Sequence, residues 1–158
     1  IEDHEKSGGP AFELYGLGFE HKHVPETQEY AGLTRRPIFI PAVGHFRQGM
    51  LVNIPLHLDA LPGRPSGADL HAAIAAWYPG CKLVRVLPAN AADRLEPEAL
   101  NDTDRLELRV YSSETHRQAL LVARLDNLGK GASGAAVQNL SLMLGLSQPA
   151  DIKEAAHA

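Results

Sequence analysis

Two histidines separated by one residue, His21 and His23, are the residues of this chain best suited to acid–base chemistry. In an extended segment residues i and i+2 project to the same side, so the two imidazoles would lie together. Glu26 follows His23 by three residues, and if a helix begins near His23 its carboxylate can orient that imidazole. An oriented imidazole is a general acid or base near neutral pH. A pair of surface histidines beside Pro25 explains the same pattern equally well.

A metal site is a third interpretation of the two histidines. It requires further ligands from His45, His57 or Cys81. These residues follow at distances that match no regular ligand spacing, so we predict no metal site.

Arg47 lies in the segment 44–49, between two apolar runs that resemble strands. Loops between strands often carry ligand contacts, and a guanidinium can bind a carboxylate or a phosphate with two hydrogen bonds. The alternative is a six-residue hairpin loop with a solvated arginine.

Three glycines, Gly129, Gly131 and Gly134, fit the spacing G-x-G-x-x-G between a predicted strand and a predicted helix. A dinucleotide fingerprint also needs a second parallel strand with an acidic residue about 20 residues later, and no further strand is expected before Ala158. A glycine-rich helix start with Lys130 and Ser133 can still hold an anion. The alternative is a turn that lets a helix pack closely.

Cys81 is the single cysteine, which excludes an intrachain disulfide and fits a reducing compartment; we therefore predict a cytoplasmic protein. Lys82 is the only neighbour that would favour a thiolate, so we predict a partly buried structural thiol and not a nucleophile.

Length and composition predict a single globular domain. The chain has 158 residues, of which 44% are apolar and 22% charged, with a formal net charge of -4. No clustered basic charge and no apolar run of about 18 residues occur, so we expect neither a nucleic-acid partner nor a membrane. The polar start does not resemble a signal peptide, and the absence of an initiator Met indicates a fragment or a processed chain.

The order of predicted elements indicates an α+β fold with a mixed, mainly antiparallel sheet and helices on one face. We expect a lead-in over 1–11, a domain over 12–146 and a tail over 147–158. The predicted strands are 12–15, 37–43, 49–58, 82–87, 106–111 and 118–125, and the predicted helices are 25–33, 66–78 and 133–145, with one helical turn near 96–100.

Three segments together resemble N-acetyl-gamma-glutamyl-phosphate reductases of the shorter-chain type. They are the histidine segment 21–26 (HKHVPE), the segment 41–50 (PAVGHFRQGM) and the long signature 125–140 (LDNLGKGASGAAVQNL). The signature is far more specific than a pattern of three glycines. The resemblance extends from about residue 12 to residue 146.

The resemblance implies a C-terminal domain like that of glyceraldehyde-3-phosphate and aspartate-semialdehyde dehydrogenases. The family reduces N-acetyl-glutamyl 5-phosphate to N-acetyl-glutamate 5-semialdehyde with NADPH and releases phosphate, in arginine biosynthesis. A cysteine thiolate attacks this small-molecule acyl phosphate. The Rossmann domain that binds most of the NADP, and the nucleophile, are absent here, since Cys81 follows the histidine segment. The resemblance therefore implies a substrate-binding and dimerisation domain that is inactive alone and forms a dimer or tetramer; a non-catalytic binding or oligomerisation module is the alternative.

Carried over residue by residue, the resemblance makes His23 the acid or base, with Glu26 orienting it and His21 close by. The sequence does not decide between the two histidines. Arg47, Lys130 and Ser133 are expected near the substrate's anionic groups. Gln138 and Asn139, on the last helix, are expected near the nicotinamide end of the cofactor.

Overall fold

The computed structural model describes residues 10–146 of the chain, and these form two compact units divided between Arg47 and Gln48. The predicted tail over 147–158 and most of the predicted lead-in lie outside the described residues. Within them, no helix is both long enough and apolar enough to cross a membrane.

The first unit contains two short strands and one helix. The strands β1 (Phe12–Leu14) and β2 (Ala42–Gly44) pair antiparallel, with Phe12 opposite Gly44. Helix α1 (His23–Tyr30) begins two residues before the predicted start and holds Pro25 in its first turn, where the missing N–H costs nothing. It ends before Gly32, whose φ of 60° is the left-handed conformation that glycine tolerates.

The predicted strand over 37–43 is largely wrong, because only its last two residues belong to β2. Pro37 and Pro41 bracket the apolar run and have no backbone N–H to donate to a ladder. Ile38 and Ile40 point outward, with 80% and 60% of their surface exposed, whereas Phe39 between them is half-buried. The β-branched composition of the run was therefore misleading.

The second unit is built on a four-stranded sheet in the order β3-β6-β5-β4. The β3–β6 and β5–β6 pairs are antiparallel, and β4–β5 is parallel. Pro55 lies on β3, at the sheet edge where a missing N–H is tolerated. The strands are β3 (Met50–His57), β4 (Val84–Val86), β5 (Leu106–Ser113) and β6 (Gln118–Leu125).

Two helices and three short helical turns complete this unit. Helix α2 (Gly67–Trp77) packs on β4 and β5 and starts with a capping box, in which Ser66 and Asp69 bond each other's backbone N–H. Helix α3 (Gly134–Met143) follows β6 through a π-turn. The short turns are the 3₁₀ segments Leu58–Ala60 and Pro97–Leu100 and the π-turn Gly129–Ser133.

The core of the second unit is small and lies around the two central strands. Val110 on β5 is fully buried and Val122 on β6 is 3% exposed, and Leu58 after β3 is fully buried. The architecture confirms the α+β class and the mixed, mainly antiparallel sheet. The predicted strand 118–125 is confirmed to the residue.

Candidate active-site residues

The two predicted histidines of the first unit lie together, but Lys22 between them has helical dihedrals (φ -54°, ψ -31°), so the extended segment that the prediction assumed is wrong. Their ring centroids are 4.8 Å apart and the rings meet edge to face. Phe39 packs on both imidazoles, with ring centroids 5.0 Å from His21 and 6.2 Å from His23, and Tyr15 meets His21 at 5.8 Å. We call His21, His23, Tyr15 and Phe39 the histidine cluster.

Hydrogen bonding distinguishes the two imidazoles. The backbone N–H of His23 donates to Nδ1 of His21 at 3.2 Å, so that this nitrogen acts as an acceptor and the neutral ring carries its proton on Nε2. The ring of His23, at the start of α1, is exposed and makes no hydrogen bond within residues 10–146. His23 therefore keeps both nitrogens available for proton transfer, and His21 helps to fix the backbone that carries it.

Glu26 lies in the first turn of α1, three residues after His23, as predicted. Its side chain is exposed, and among the described residues neither a hydrogen bond nor an ion pair joins it to His23. The role of Glu26 in orienting the imidazole remains a prediction.

Arg47 is the last residue of the first unit and is exposed. In the part of the chain that the structure describes, its guanidinium makes neither a hydrogen bond nor an ion pair. All five N–H donors can therefore face an anion in solution. The assignment of Arg47 to a substrate carboxylate or phosphate remains a prediction.

The predicted anion residues of the second unit lie on the π-turn between β6 and α3. The Nζ of Lys130 donates to Oε1 of Gln138 on α3 at 2.9 Å. No carboxylate within the described residues forms an ion pair with Lys130. The hydroxyl of Ser133 donates to the carbonyl of Leu128 at 2.8 Å, and its oxygen can still accept.

A buried carboxylate that the sequence analysis missed stabilises this turn through hydrogen bonds. Asp126, which follows β6 directly, is 1% exposed. Its Oδ1 accepts from the backbone N–H of Leu128 at 2.8 Å. Its Oδ2 accepts from the backbone N–H of Asp102 at 2.8 Å and from Nε2 of Gln48 at 3.1 Å. An aspartate between a strand and a glycine turn was visible in the sequence, but its partner Gln48, 78 residues away, was not.

Cys81 is exposed, so the predicted partly buried thiol is wrong. It lies in the turn between α2 and β4, where its backbone N–H donates to the carbonyl of Tyr78 at 3.3 Å. Val84, three residues later, is where the strand begins, so the thiol stays outside the sheet. Within residues 10–146 no group of three metal-ligating side chains lies close enough to share an ion.

Comparison with known proteins decides the family. Residues 2–127 match the family described as semialdehyde dehydrogenase, dimerisation domain. The chain belongs to this family.

Three curated relatives of this dimerisation domain are N-acetyl-gamma-glutamyl-phosphate reductases by name. The "N-acetyl-gamma-glutamyl-phosphate reductase 2" of Pseudomonas putida is 51% identical over 154 residues, which cover 94% of this chain and 49% of the relative. The N-acetyl-gamma-glutamyl-phosphate reductase of Burkholderia cenocepacia is 52% identical over 141 residues, covering 87% and 45%. That of Mesorhizobium japonicum is 50% identical over 153 residues, covering 92% and 50%. The chain spans about half the length of the curated relatives it matches.

The dimerisation domain offers only part of what a dinucleotide requires. In the described residues β6 is antiparallel to both of its neighbours, and no strand follows α3, so no parallel β-α-β unit is formed around the three glycines. The side-chain amides of half-buried Gln138 and exposed Asn139 nevertheless supply donors and acceptors that fit a carboxamide.

Proposed function

We propose that this chain is the substrate-binding part of an N-acetyl-gamma-glutamyl-phosphate reductase, which reduces N-acetyl-glutamyl 5-phosphate to N-acetyl-glutamate 5-semialdehyde in arginine biosynthesis. The observation that carries the proposal is about 50% identity, over nearly the whole chain, to relatives of that name. Because those relatives are about twice as long, we propose that the chain is inactive until the remaining half is supplied.

In the proposed reaction, a thiolate from outside this chain attacks the acyl carbon, the bond to the phosphate oxygen breaks, and phosphate leaves. NADPH, when bound, supplies the hydride that converts the thioester to the aldehyde and releases the thiolate. Cys81 is a poor candidate for the nucleophile, because its thiol lies in an exposed turn and has no histidine partner in the described residues.

His23 is the proposed acid–base residue. Its ring is exposed and keeps both nitrogens available, whereas Nδ1 of His21 is occupied by a backbone N–H. His23 would take the proton from the attacking thiol and hold it for a developing oxyanion. Phe39 packs on the edge of His23 and limits the orientations of the ring, and Glu26 places a carboxylate in the first turn of the same helix.

Arg47, Lys130 and Ser133 are the proposed anion contacts. The Lys130 ammonium is held by an amide oxygen and is not neutralised by a described carboxylate, so two of its three N–H donors are left for a phosphate or carboxylate oxygen. Gln138 then has two roles, since its oxygen orients Lys130 while its N–H₂ group, like that of Asn139, is left to contact the cofactor.

The decisive experiment supplies the N-terminal half of the Pseudomonas putida relative in trans. Phosphate-dependent reduction of NADP with the semialdehyde should be negligible for the chain alone and restored in the mixture. His23→Ala should lower the restored kcat about 100- to 10,000-fold, the range expected for losing a general acid or base. His116→Ala is the matched control, because His116 is an exposed histidine of the β5–β6 turn. Turnover by the chain alone, or full activity of His23→Ala, would contradict the proposal.

A second candidate function is a non-catalytic oligomerisation module, which the family description as a dimerisation domain favours. In either case we propose that the chain forms a dimer or tetramer through its sheet domain. Light scattering should give a mass of at least twice 17.1 kDa. Self-association together with a mixture that restores no activity would leave the oligomerisation role alone.

We also propose a cytoplasmic location, which the free thiol of Cys81 favours.

A further inference from the structure

The segment that carries Lys130 is held from one side by the carboxylate of Asp126. Both carboxylate oxygens accept hydrogen bonds, one from the N–H of Leu128, the residue directly before the turn, and the other from Asp102 and Gln48 elsewhere in the second unit. The backbone of the same residue contributes as well, because the carbonyl of Asp126 accepts from the N–H of Gly131 at 2.9 Å. Asp126 thus bonds to the turn through its carbonyl and to the residue before the turn through its carboxylate, which also bonds to two distant segments.

Close packing leaves the turn little freedom to adopt another arrangement. A Cβ on Gly129 would lie 2.8 Å from the carbonyl oxygen of Thr103, and one on Gly134 would lie 2.0 Å from Oδ1 of Asp104. Asn127 adds a further tie, since its Oδ1 accepts from the N–H of Gly49 at 2.7 Å. The glycines permit the close approach, and the hydrogen bonds of Asp126 and Asn127 select where it occurs.

We propose that Asp126 is a positioning residue that holds the π-turn Gly129–Ser133 so that Lys130 and Ser133 present their polar groups to the substrate's anion. Gln48 stabilises the carboxylate of Asp126 by donating a hydrogen bond from Nε2 to its Oδ2. The inference rests on the proposed function for the identity of the substrate, but the placement of the turn can be tested without it. Asp126 is buried and does not touch the substrate itself, so its loss acts through Lys130.

The test compares Asp126→Asn with Asp102→Asn. Each change removes one negative charge close to Gln48, but only Asp126 bonds to the turn, whereas exposed Asp102 accepts from Gln48 at 2.9 Å through its side chain. In the isolated chain we measure hydrogen exchange of the amides of Leu128, Gly131 and Ser133. In the mixture with the N-terminal half we measure KM for the acyl phosphate and kcat.

We expect Asp126→Asn to accelerate exchange in the turn about tenfold while exchange in the sheet stays unchanged, because local opening precedes global unfolding. KM should rise about 10- to 100-fold with a smaller change in kcat, because losing a charged hydrogen bond that is made equally in the ground and transition states weakens binding without slowing the chemical step. Asp102→Asn should change neither quantity more than about twofold.

Three results would overturn the inference. They are exchange and KM like those of the unchanged chain, faster exchange spread evenly over the sheet, and a loss of kcat at constant KM. If Asp126→Asn does not fold, Gln48→Leu is the second variant, because it removes only one of the donors to the Asp126 carboxylate. It should give the same changes in exchange and KM at smaller amplitude, and an unchanged turn in that variant would also overturn the inference. If the unchanged mixture shows no turnover, the proposed function fails, and the exchange data still decide whether Asp126 positions the turn.

Discussion

Ion pairs between arginine and glutamate occur in both units of the chain, in opposite surroundings. In the first unit Arg36 contacts Glu20 at 3.1 Å, with side chains 48% and 84% exposed. In the second unit Glu107 bonds both Arg109 and Arg124 across the face of the sheet, and the three side chains are only 9–15% exposed. The same chemistry is therefore a solvated contact at Glu20 and part of the packed structure at Glu107, while Arg117 and Glu114 form a more exposed pair in the second unit.

This contrast extends to the candidate site residues. The histidine cluster of the first unit rests on ring contacts and one backbone hydrogen bond, and His23 itself is exposed. The π-turn of the second unit is held by a buried carboxylate and by glycines without space for a side chain. We infer that the first unit presents an exposed imidazole, and that the second fixes the position of the Lys130 side chain.

The largest expected effect is from Glu107→Gln. This change leaves Arg109 and Arg124 as nearly buried cations without their counter-ion, and breaking such a pair costs about 3–5 kcal/mol of unfolding free energy. Urea denaturation followed by circular dichroism measures the loss. A change below about 1 kcal/mol would mean that this cluster is as weak as a surface pair.

The same cluster predicts a pH dependence. Burial raises the pKa of Glu107, but hydrogen bonds from Arg109 and Arg124 outweigh burial and hold that pKa below its ordinary value of 4.5. The ion pairs of Glu107 therefore stabilise the fold above pH 4.5, and this stabilisation is lost as the pH falls through the lowered pKa of Glu107. Urea midpoints recorded down to about pH 3 should fall more steeply for the unchanged chain than for Glu107→Gln.

A smaller effect is expected from Gly134→Ala. The added Cβ would lie 2.0 Å from Oδ1 of Asp104, and overpacking of this kind costs about 1–3 kcal/mol. Gly131→Ala is the matched control on the same turn, because its Cβ would meet ordinary neighbours at 3.4 Å. Thermal denaturation of the two variants should separate them, and equal midpoints would show that the turn yields without cost.

The smallest effect is expected from Glu20→Gln in the first unit. Exposed ion pairs contribute about 0–1 kcal/mol, so the unfolding midpoint should move little. A loss comparable with that of Glu107→Gln would remove the contrast between the units.

Local patterns predicted the regular parts of the second unit well. The helix predicted over 66–78 matches α2 to within one residue at each end, and the strand predicted over 118–125 matches β6 to the residue, because capping and burial of one sheet face leave short-range signals. The strand predicted over 37–43 is largely wrong. Prolines at both ends of this apolar run remove backbone N–H donors, and the apolar composition gives no sign of that loss.

The candidate site was predicted unevenly for the same reason. The rings of His21 and His23 do lie together, but across a helical Lys22 and not along the extended segment from which their pairing was predicted. The contacts of Phe39 with these rings, and of Gln48 with Asp126, join residues far apart in sequence. Periodicity contains no information about such contacts, which arise only when the chain folds.

The strand order of the second unit has a consequence for folding on the ribosome. The β5–β6 hairpin is local, since only residues 114–117 separate its strands. Its other neighbour, β3, emerges much earlier but pairs with β6, with Ile54 opposite Leu121. During synthesis β3 therefore lacks its hydrogen-bonding neighbour until β6, the last strand of the described sheet, has left the exit tunnel. We expect substitutions in the hairpin turn to change the folding rate, and substitutions on β3 to change mainly the unfolding rate.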